Sequence, residues 1–194
     1  MTQGLVFTQF TAHGTGGDKQ APFGRVPELA EASSRVLYQS VENPAEYARM
    51  EYFDQYGKLG GMRFDLSERE LDVARYRCIE ASDTGTYAEQ HKVLMLVAFN
   101  VPEHLFCEVE EWYEHEHAML LMRAQGWYRV RRYHVPMQAG GQRWNHLAFH
   151  ELSDVKVLDS QERKIARSTP WRARYEAQAW FQAAGRWIYR RLDA

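Results

Sequence analysis

The stretch HKVLMLVAFNV, residues 91–101, constrains the fold more than any other part of the chain. It is a nearly continuous apolar run of strand length, which is typical of a central strand covered on both faces. Asn100 can cap a following helix, Pro102 suits its first turn, and Gly126 is a typical helix stop. The run therefore predicts a buried strand followed by a helix that ends near Gly126.

The segments after this helix alternate between strand and helix patterns. GWYRVRRYHV and WNHLAFHEL favour two strands joined by the turn QAGG, and DVKVLDSQERKIA favours a helix that breaks or restarts at Pro170. GRWIYRRL favours a closing strand. Residues 91–194 thus have the order β–α–β–β–α–β, which is the split βαβ, ferredoxin-like arrangement.

The first half of the chain shows the same order less clearly. GLVFTQFTAHG, SRVLYQSV, EYARMEYFD and RYRCIEA favour strands, and PELAEA favours one or two helical turns. A capping box from Ser67 to Glu70 predicts a helix over LSERELDVARY. GTGGDK lacks the spacing of a phosphate-binding loop and reads as an ordinary loop. The sequence therefore predicts an α+β chain of two ferredoxin-like βαββαβ modules, a degenerate one at 1–90 and a clearer one at 91–194.

Composition excludes several classes of function. The 194 residues carry a net charge of −2, without the basic excess of a nucleic-acid binder. Two cysteines suggest neither a disulfide framework nor a zinc knuckle. No apolar run reaches the roughly 20 residues of a membrane span, and the N-terminus lacks a signal-peptide pattern. We expect a cytoplasmic protein without nucleic-acid or membrane partners.

The sequence EEWYEHEHAMLL, residues 110–121, places many ionisable groups on the predicted helix. At about 100° per residue, Glu116 falls inside the apolar sector and His117 at its edge, whereas Glu114 and His115 fall outside it. A buried charge requires a partner, so Glu116 and His117 indicate a pocket or an ion pair. His115 is expected to be solvated.

Convergent metal ligands are not expected on this helix. His115 and His117 lie about 160° apart at α-helical spacing, and the pairs formed with Glu111 and Glu114 lie on different faces. A zinc-type site requires its ligands on one face. The prediction is that the protein holds neither a structural metal nor a cofactor.

The segment WYEHEHAMLLMRAQGWYRVRRY resembles the EthD-like branch of the dimeric α+β barrel superfamily. That branch has a helix reading roughly W-Y-x-x-E-H-x-P-L-L and then a strand reading P-G-W/F-x-R-x-R-R-Y; STPWRAR further on resembles its T-P-W element. The matching positions are Trp112, Tyr113, Glu116, His117, Leu120, Gly126, Trp127, Arg129, Arg131, Arg132 and Tyr133. Ala118 and Met119 stand where a proline often occurs, and Gln125 replaces the proline before Gly126.

The resemblance covers residues 91–194 and implies two four-stranded sheets that face each other around a cavity. A tandem chain can close such a barrel within itself as a pseudo-dimer. A homodimer of the whole chain is the other possible assembly. The resemblance places His117 near the cavity mouth, where it would serve as acid, base or hydrogen-bond donor. Because the superfamily includes cyclases, lactone isomerases, cofactor-free monooxygenases, haem-degrading enzymes and members without known activity, it indicates the fold better than the reaction.

The candidate site residues suit acid–base chemistry. His117 can transfer a proton near neutral pH, and Glu116 joins it as a catalytic residue that orients a neighbour or neutralises an arginine. Arg131 and Arg132 point to opposite faces of their strand, so at most one reaches the cavity. The expected substrate-binding residues are Tyr113, Arg131, Tyr133, His146 and His150.

These residues lead to one functional hypothesis and two alternatives. The first is a cofactor-independent acid–base enzyme, of cyclase, isomerase, lyase or oxygenase type, acting on a small apolar carbonyl or phenolic metabolite in the barrel cavity. The second is a non-catalytic carrier of a hydrophobic metabolite. The third is a haem-binding or haem-degrading protein with His117 or another histidine as axial ligand.

Overall fold

The computed structural model describes residues 4–11, 29, 31–59 and 73–192. Its strands are β1 (Gly4–Thr11), β2 (Ser34–Ser40), β3 (Glu46–Phe53), β4 (Val73–Gly85), β5 (Val93–Phe99), β6 (Trp127–Ala139), β7 (His146–Leu152) and β8 (Gly185–Arg191). Its α-helices are α1 (Phe106–Trp112), α2 (Ala118–Leu121), α3 (Gln161–Arg167), α4 (Pro170–Glu176) and α5 (Ala179–Gln182). Short 3₁₀ turns occupy Tyr56–Leu59, Glu103–Leu105 and Val155–Asp159.

The eight strands form a closed barrel in the hydrogen-bonded order β1-β3-β2-β8-β5-β7-β6-β4. The first half of the chain supplies the run β4-β1-β3-β2, and the second half supplies β8-β5-β7-β6. The relative order is therefore the same in both halves, with β1 and β5 in equivalent inner positions. Pairing is antiparallel between β1 and β3, β1 and β4, β5 and β7, and β6 and β7. The predicted α+β fold class and barrel are confirmed.

The chain divides into two compact units, each of which consists of segments that are not contiguous in the sequence. One unit contains residues 1–80, 135–143 and 189–193, and the other contains 81–134 and 144–188. The dividing points fall within β4, β6 and β8, so each of these strands contributes to both units. The predicted modules 1–90 and 91–194 follow sequence order instead, and their boundary stays a prediction.

Both predicted helices of the first half fall largely outside the described residues, as does GTGGDK. Within PELAEA, residues 29, 31 and 32 are described and are not helical. The capping box lies wholly outside, and the description resumes at Val73, already in β4. The helix predicted over LSERELDVARY is therefore wrong for Val73–Tyr76, which pair with β1 from Phe10 to Phe7, whereas the strand predicted for RYRCIEA lies within β4. A capping box depends only on neighbouring residues, so it cannot show where the backbone pairs with a strand that is distant in sequence.

The second half follows the predicted order of strands and helices, except that the helix predicted over 154–166 is a 3₁₀ turn followed by α3, β6 continues to Ala139, and α5 was not predicted. Every residue of β5 is buried, which explains its continuous apolar sequence. Val93, Met95, Val97 and Phe99 pack in the core beneath the helices, while the alternate residues face the other side of the sheet. The helical segment after β5 ends before Gly126, whose φ of +88° requires glycine. Within the described part of the chain, no helix is both long and apolar enough to span a bilayer.

Candidate active site

A π-helical turn at Tyr113–His117 joins α1 to α2. Such turns are rare and recur at functional sites. The turn buries Tyr113 and His117 and leaves Glu114 and His115 exposed. The burial of His117 and the exposure of His115 agree with the helical-face prediction, although that prediction assumed regular α-helical spacing and did not foresee the π turn.

The surroundings of His117 determine both its tautomer and its charge state. Its Nδ1 atom lies 3.3 Å from the carbonyl oxygen of Ala166 in α3. A carbonyl can only accept, so Nδ1 carries the proton and Nε2 carries the lone pair. The ring stacks on Trp112 at 4.5 Å between centroids and meets Tyr113 edge-on at 5.2 Å. Burial, followed by the charge of Arg172, lowers the pKa of His117 to about 3, so the ring is neutral near pH 7.

His117 lines a cavity of about 100 Å³ between the helices and the sheet. Its wall is largely apolar and aromatic, and its polar members are histidines and arginines. The lining residues are Met95, Val97, Phe99, Trp112, Tyr113, His117, Leu121, Trp127, His150, Arg163, Arg167, Arg172, Phe181 and Arg186. This cavity lies on the helix-covered face of the sheet, because the strand residues that line it belong to that face. The cavity between two facing sheets that the resemblance implied stays a prediction.

His150 is the second histidine of the cavity. It faces the helices from β7, edge-on to Trp127 at 5.4 Å. Burial, followed by the charges of His117 and Arg163, lowers the pKa of His150 to about 3. Its Nδ1 atom is buried and has no hydrogen-bond partner among the described residues. The cavity thus contains a second neutral imidazole with a buried nitrogen that a bound ligand could engage.

Four arginines give the cavity a positive rim without a carboxylate in its lining. Among the described residues, Arg172 alone of the four forms an ion pair, with Glu176. Arg163 donates to the carbonyl oxygen of Leu158. Burial, followed by the charge of Arg167, lowers the pKa of Arg163. Guanidinium groups that crowd one another in this way favour an anion between them.

The sequence-based selection missed these arginines. Arg163 and Arg167 lie four residues apart in α3, on one helix face. This spacing of four residues, within QERKIARSTPWRAR, is the sequence signal from which Arg163 and Arg167 could have been selected. It was not sufficient, because Arg186 comes from β8 and Arg172 from α4, and only the packing of these elements brings the four together.

Two predicted substrate-binding residues lie on the opposite face of the sheet. Arg131 and Tyr133 alternate with the helix-facing residues of β6, and neither lines the cavity. Arg131 forms a buried ion pair with Glu151 at 2.7 Å and donates to the Tyr133 hydroxyl at 3.1 Å. The guanidinium of Arg131 therefore neutralises a buried carboxylate and does not reach this cavity, and its role in substrate binding stays a prediction.

Glu116 positions other groups and does not line the cavity. Its carboxylate accepts hydrogen bonds from Trp112 Nε1 at 3.1 Å and from Thr169 Oγ1 at 2.7 Å. The Thr169 hydroxyl in turn caps α4 by accepting from Arg172 N. Glu116 therefore fixes both the indole on which His117 stacks and the start of the helix that carries Arg172.

His146 belongs to a separate cluster with Glu110 and His134, away from the His117 cavity. The nearest ligand atoms of these three residues lie within 4.8 Å of one another. Burial opposes ionisation of Glu110, but its polar contacts with His134 and His146 and the charge of Arg132 outweigh that effect, so the pKa of this carboxyl is held well below its ordinary value. The guanidinium of Arg132 also lies over the Tyr113 ring at 5.1 Å. His146 is consequently not brought to the cavity as predicted.

Comparisons with known proteins establish the fold. No family model matches the sequence, and no match is found among curated proteins. An anthrone oxidase-like protein is similar in structure over 98% of this chain and 91% of its own, at 11% identity and a TM-score of 0.66.

Two structures from Listeria monocytogenes are also similar. A ferredoxin fold protein related to antibiotic biosynthesis monooxygenases covers 98% of this chain and 95% of its own, at 8% identity and a TM-score of 0.55. A haem-degrading enzyme covers 96% and 98%, at 9% identity and a TM-score of 0.54. Identities this low establish the fold alone, which is that of the ferredoxin-like dimeric α+β barrel proteins. Membership of the EthD-like branch stays a prediction.

Proposed function

We propose that the protein is an acid–base enzyme that acts on a small, largely apolar carbonyl or phenolic compound which becomes an anion during the reaction. The observation that carries the proposal is the state of His117. Its Nδ1 is bound to Ala166 O, which leaves Nε2 as a base in an apolar cavity rimmed by arginines. The tandem, EthD-like assignment is part of the same proposal.

The first step is proton abstraction. His117 Nε2 takes a proton from an acidic carbon or a phenol, and the electron pair left behind moves onto the substrate oxygen, forming an enolate or phenolate. Arg163 and Arg172 line the cavity, and in this proposal they stabilise that oxygen through charge-assisted hydrogen bonds. The bound anion also raises the proton affinity of His117, which offsets the low pKa of the empty site. The imidazolium then returns its proton elsewhere on the substrate.

This step is common to cyclisation, isomerisation and carbon–carbon cleavage next to a carbonyl. It also generates the electron-rich anion from which a cofactor-free oxygenation begins. The anthrone oxidase-like structural relative has the same fold and is consistent with such chemistry. The cavity, at about 100 Å³, is smaller than the roughly 150 Å³ cavity that holds benzene, so we expect a substrate with at most one ring, which enters only when the lining side chains shift.

A haem does not fit this site. Pockets that hold drug-sized ligands have volumes of about 300–1,000 Å³, whereas the His117 cavity measures about 100 Å³. The likeness to the haem-degrading enzyme therefore concerns the fold alone, and the proposed reaction does not involve a haem.

The test is exchange of carbon-bound hydrogen for deuterium in a panel of single-ring phenols and cyclic monoketones in D₂O, measured by NMR against the rate without protein. His117→Ala is expected to lower catalysed exchange by roughly 10²–10⁴-fold. His117→Gln is expected to lose nearly as much, because an amide cannot relay the proton. His115→Ala, the exposed neighbour, should retain activity within about threefold.

A ligand-binding assay distinguishes an enzyme from a non-catalytic carrier. Trp112 and Trp127 line the cavity, so salicylate, a single-ring anion, should quench tryptophan fluorescence in wild type and in His117→Ala alike. Binding that persists together with unchanged turnover in His117→Ala would remove the acid–base mechanism in favour of a carrier. Absence of exchange with every compound in wild type, with salicylate still bound, would have the same meaning.

A further inference from the structure

The Glu110–His134–His146 cluster has the donor set of a metal site. His134 in β6 and His146 in β7 are directly opposite each other in register, and Glu110 reaches them from α1. Both imidazole Nε2 atoms lie 3.2 Å from the same carboxylate oxygen, Glu110 Oε1. Two ligands at about 2.0–2.1 Å from a tetrahedral cation are themselves about 3.3 Å apart. Two of the three ligand–ligand distances therefore match those around one ion, and all three atoms lie within 4.8 Å of one another.

A neighbouring amide fixes the tautomer of His146. Asn145 Nδ2 donates to Val101 O at 2.8 Å, and Asn145 Oδ1 accepts from Val101 N at 2.8 Å. These two bonds determine which end of the amide is the oxygen. That oxygen lies 3.1 Å from His146 Nδ1, so Nδ1 must be the donor. An outer hydrogen bond of this kind is how proteins orient a histidine that binds metal through its other nitrogen.

The remaining nitrogen of His146 then has no ordinary partner. Its Nε2 carries a lone pair, is buried, and makes no hydrogen bond among the described residues. It lies 3.2 Å from Glu110 Oε1, which is itself an acceptor. Two acceptors that face each other at this distance repel unless a proton or a metal cation lies between them. A metal ion would satisfy His146, His134 and Glu110 together.

Arg132 restricts how such an ion is held. Its guanidinium pairs with Glu110 Oε2 and donates to Ser82 Oγ at 2.8 Å, which leaves only Oε1 of the carboxylate for a metal. His134 is 42% exposed, so a further coordination position is open to solvent. Two imidazoles, one monodentate carboxylate and an open position suit Zn²⁺ and similar first-row divalent ions.

We propose that Glu110, His134 and His146 form a binding site for a zinc-type divalent cation with an open coordination position. The site uses none of the residues that line the His117 cavity and does not depend on the function proposed for that cavity. The expectation from sequence that no metal is bound rested on residues 111–117. Glu110 lies one residue outside that range, and its two partners are supplied by strands.

The test is titration of chelator-treated protein with Zn²⁺ by calorimetry and with Co²⁺ by visible absorption at pH 7.5. Wild type is expected to bind one equivalent, with the absorption of tetrahedral Co²⁺. His134→Ala removes a half-exposed ligand with little risk to folding and should weaken binding at least about tenfold, as should Glu110→Gln. His115→Ala, the matched exposed histidine, should bind as wild type does.

Two outcomes would overturn the proposal. One is no Zn²⁺ binding by wild type above the level of His134→Ala, which would make the cluster a proton-sharing ion pair of His146 and Glu110. The other is binding that disappears in His115→Ala but survives in His134→Ala, which would place the ion on the surface. Because neither measurement uses turnover, both are independent of the acid–base assays.

Discussion

Replacing His117 with glutamine should change how stability depends on pH. In the folded protein the pKa of His117 is about 3, whereas an unperturbed histidine titrates near 6.5. The main cause is burial against Trp112 and Tyr113, which disfavours the charged ring. The unfolded chain therefore binds a proton more readily than the folded chain across this interval. Glutamine occupies a similar volume and does not titrate.

The sign and size of the effect follow from that difference. A depressed histidine pKa contributes stability that is complete above about pH 6.5 and is lost as the pH falls toward 3. The loss is about 1.4 kcal/mol per pH unit for one proton. Between pH 7 and pH 5 it amounts to about 2 kcal/mol from His117. His150, with a pKa of about 3 for the same reason, should add a similar amount.

The assay is urea denaturation at pH 5, 6 and 7 for wild type, His117→Gln and His115→Gln. Wild type should lose roughly 4 kcal/mol of unfolding free energy over this range from the two buried rings, and His117→Gln about half as much. His115→Gln should follow wild type, because His115 is exposed. Parallel pH profiles for wild type and His117→Gln would refute the claim that His117 is buried and neutral.

Three further replacements test the supports of the fold. Arg131→Leu should cost about 3–5 kcal/mol by leaving Glu151 buried without its partner, and adding Glu151→Leu should recover most of it in urea denaturation. Glu116→Ala should cost about 2–3 kcal/mol through its two lost hydrogen bonds, whereas exposed Glu114→Ala should stay within about 0.5 kcal/mol; equal effects would contradict the bridging role. Gly126→Ala should lower stability by at least about 1 kcal/mol, because φ is +88° and an added β-carbon would lie 2.2 Å from the Ser153 hydroxyl oxygen. Thermal unfolding measures this loss, and an unchanged melting temperature would argue against that turn.

Features that depend on residues close in sequence were determined by the sequence itself. The unbroken apolar run predicted that β5 is buried on both faces, and helical spacing separated buried His117 from exposed His115. The glycine at position 126 marked the end of the helix. The order of strands and helices in the second half predicted the α+β class. Periodicity and end signals are local, so they can be read without knowing which elements meet.

Only the tertiary structure decided which distant groups share a site. The arginine rim joins α3, α4 and β8, and the candidate metal site joins Glu110 with the cross-strand pair His134 and His146. Strand alternation predicted that Arg131 and Arg132 diverge, but not which face the helices cover. That choice depends on strand pairing and helix packing between residues far apart in the chain. The free energy of those contacts is set by surfaces that no single stretch of sequence contains.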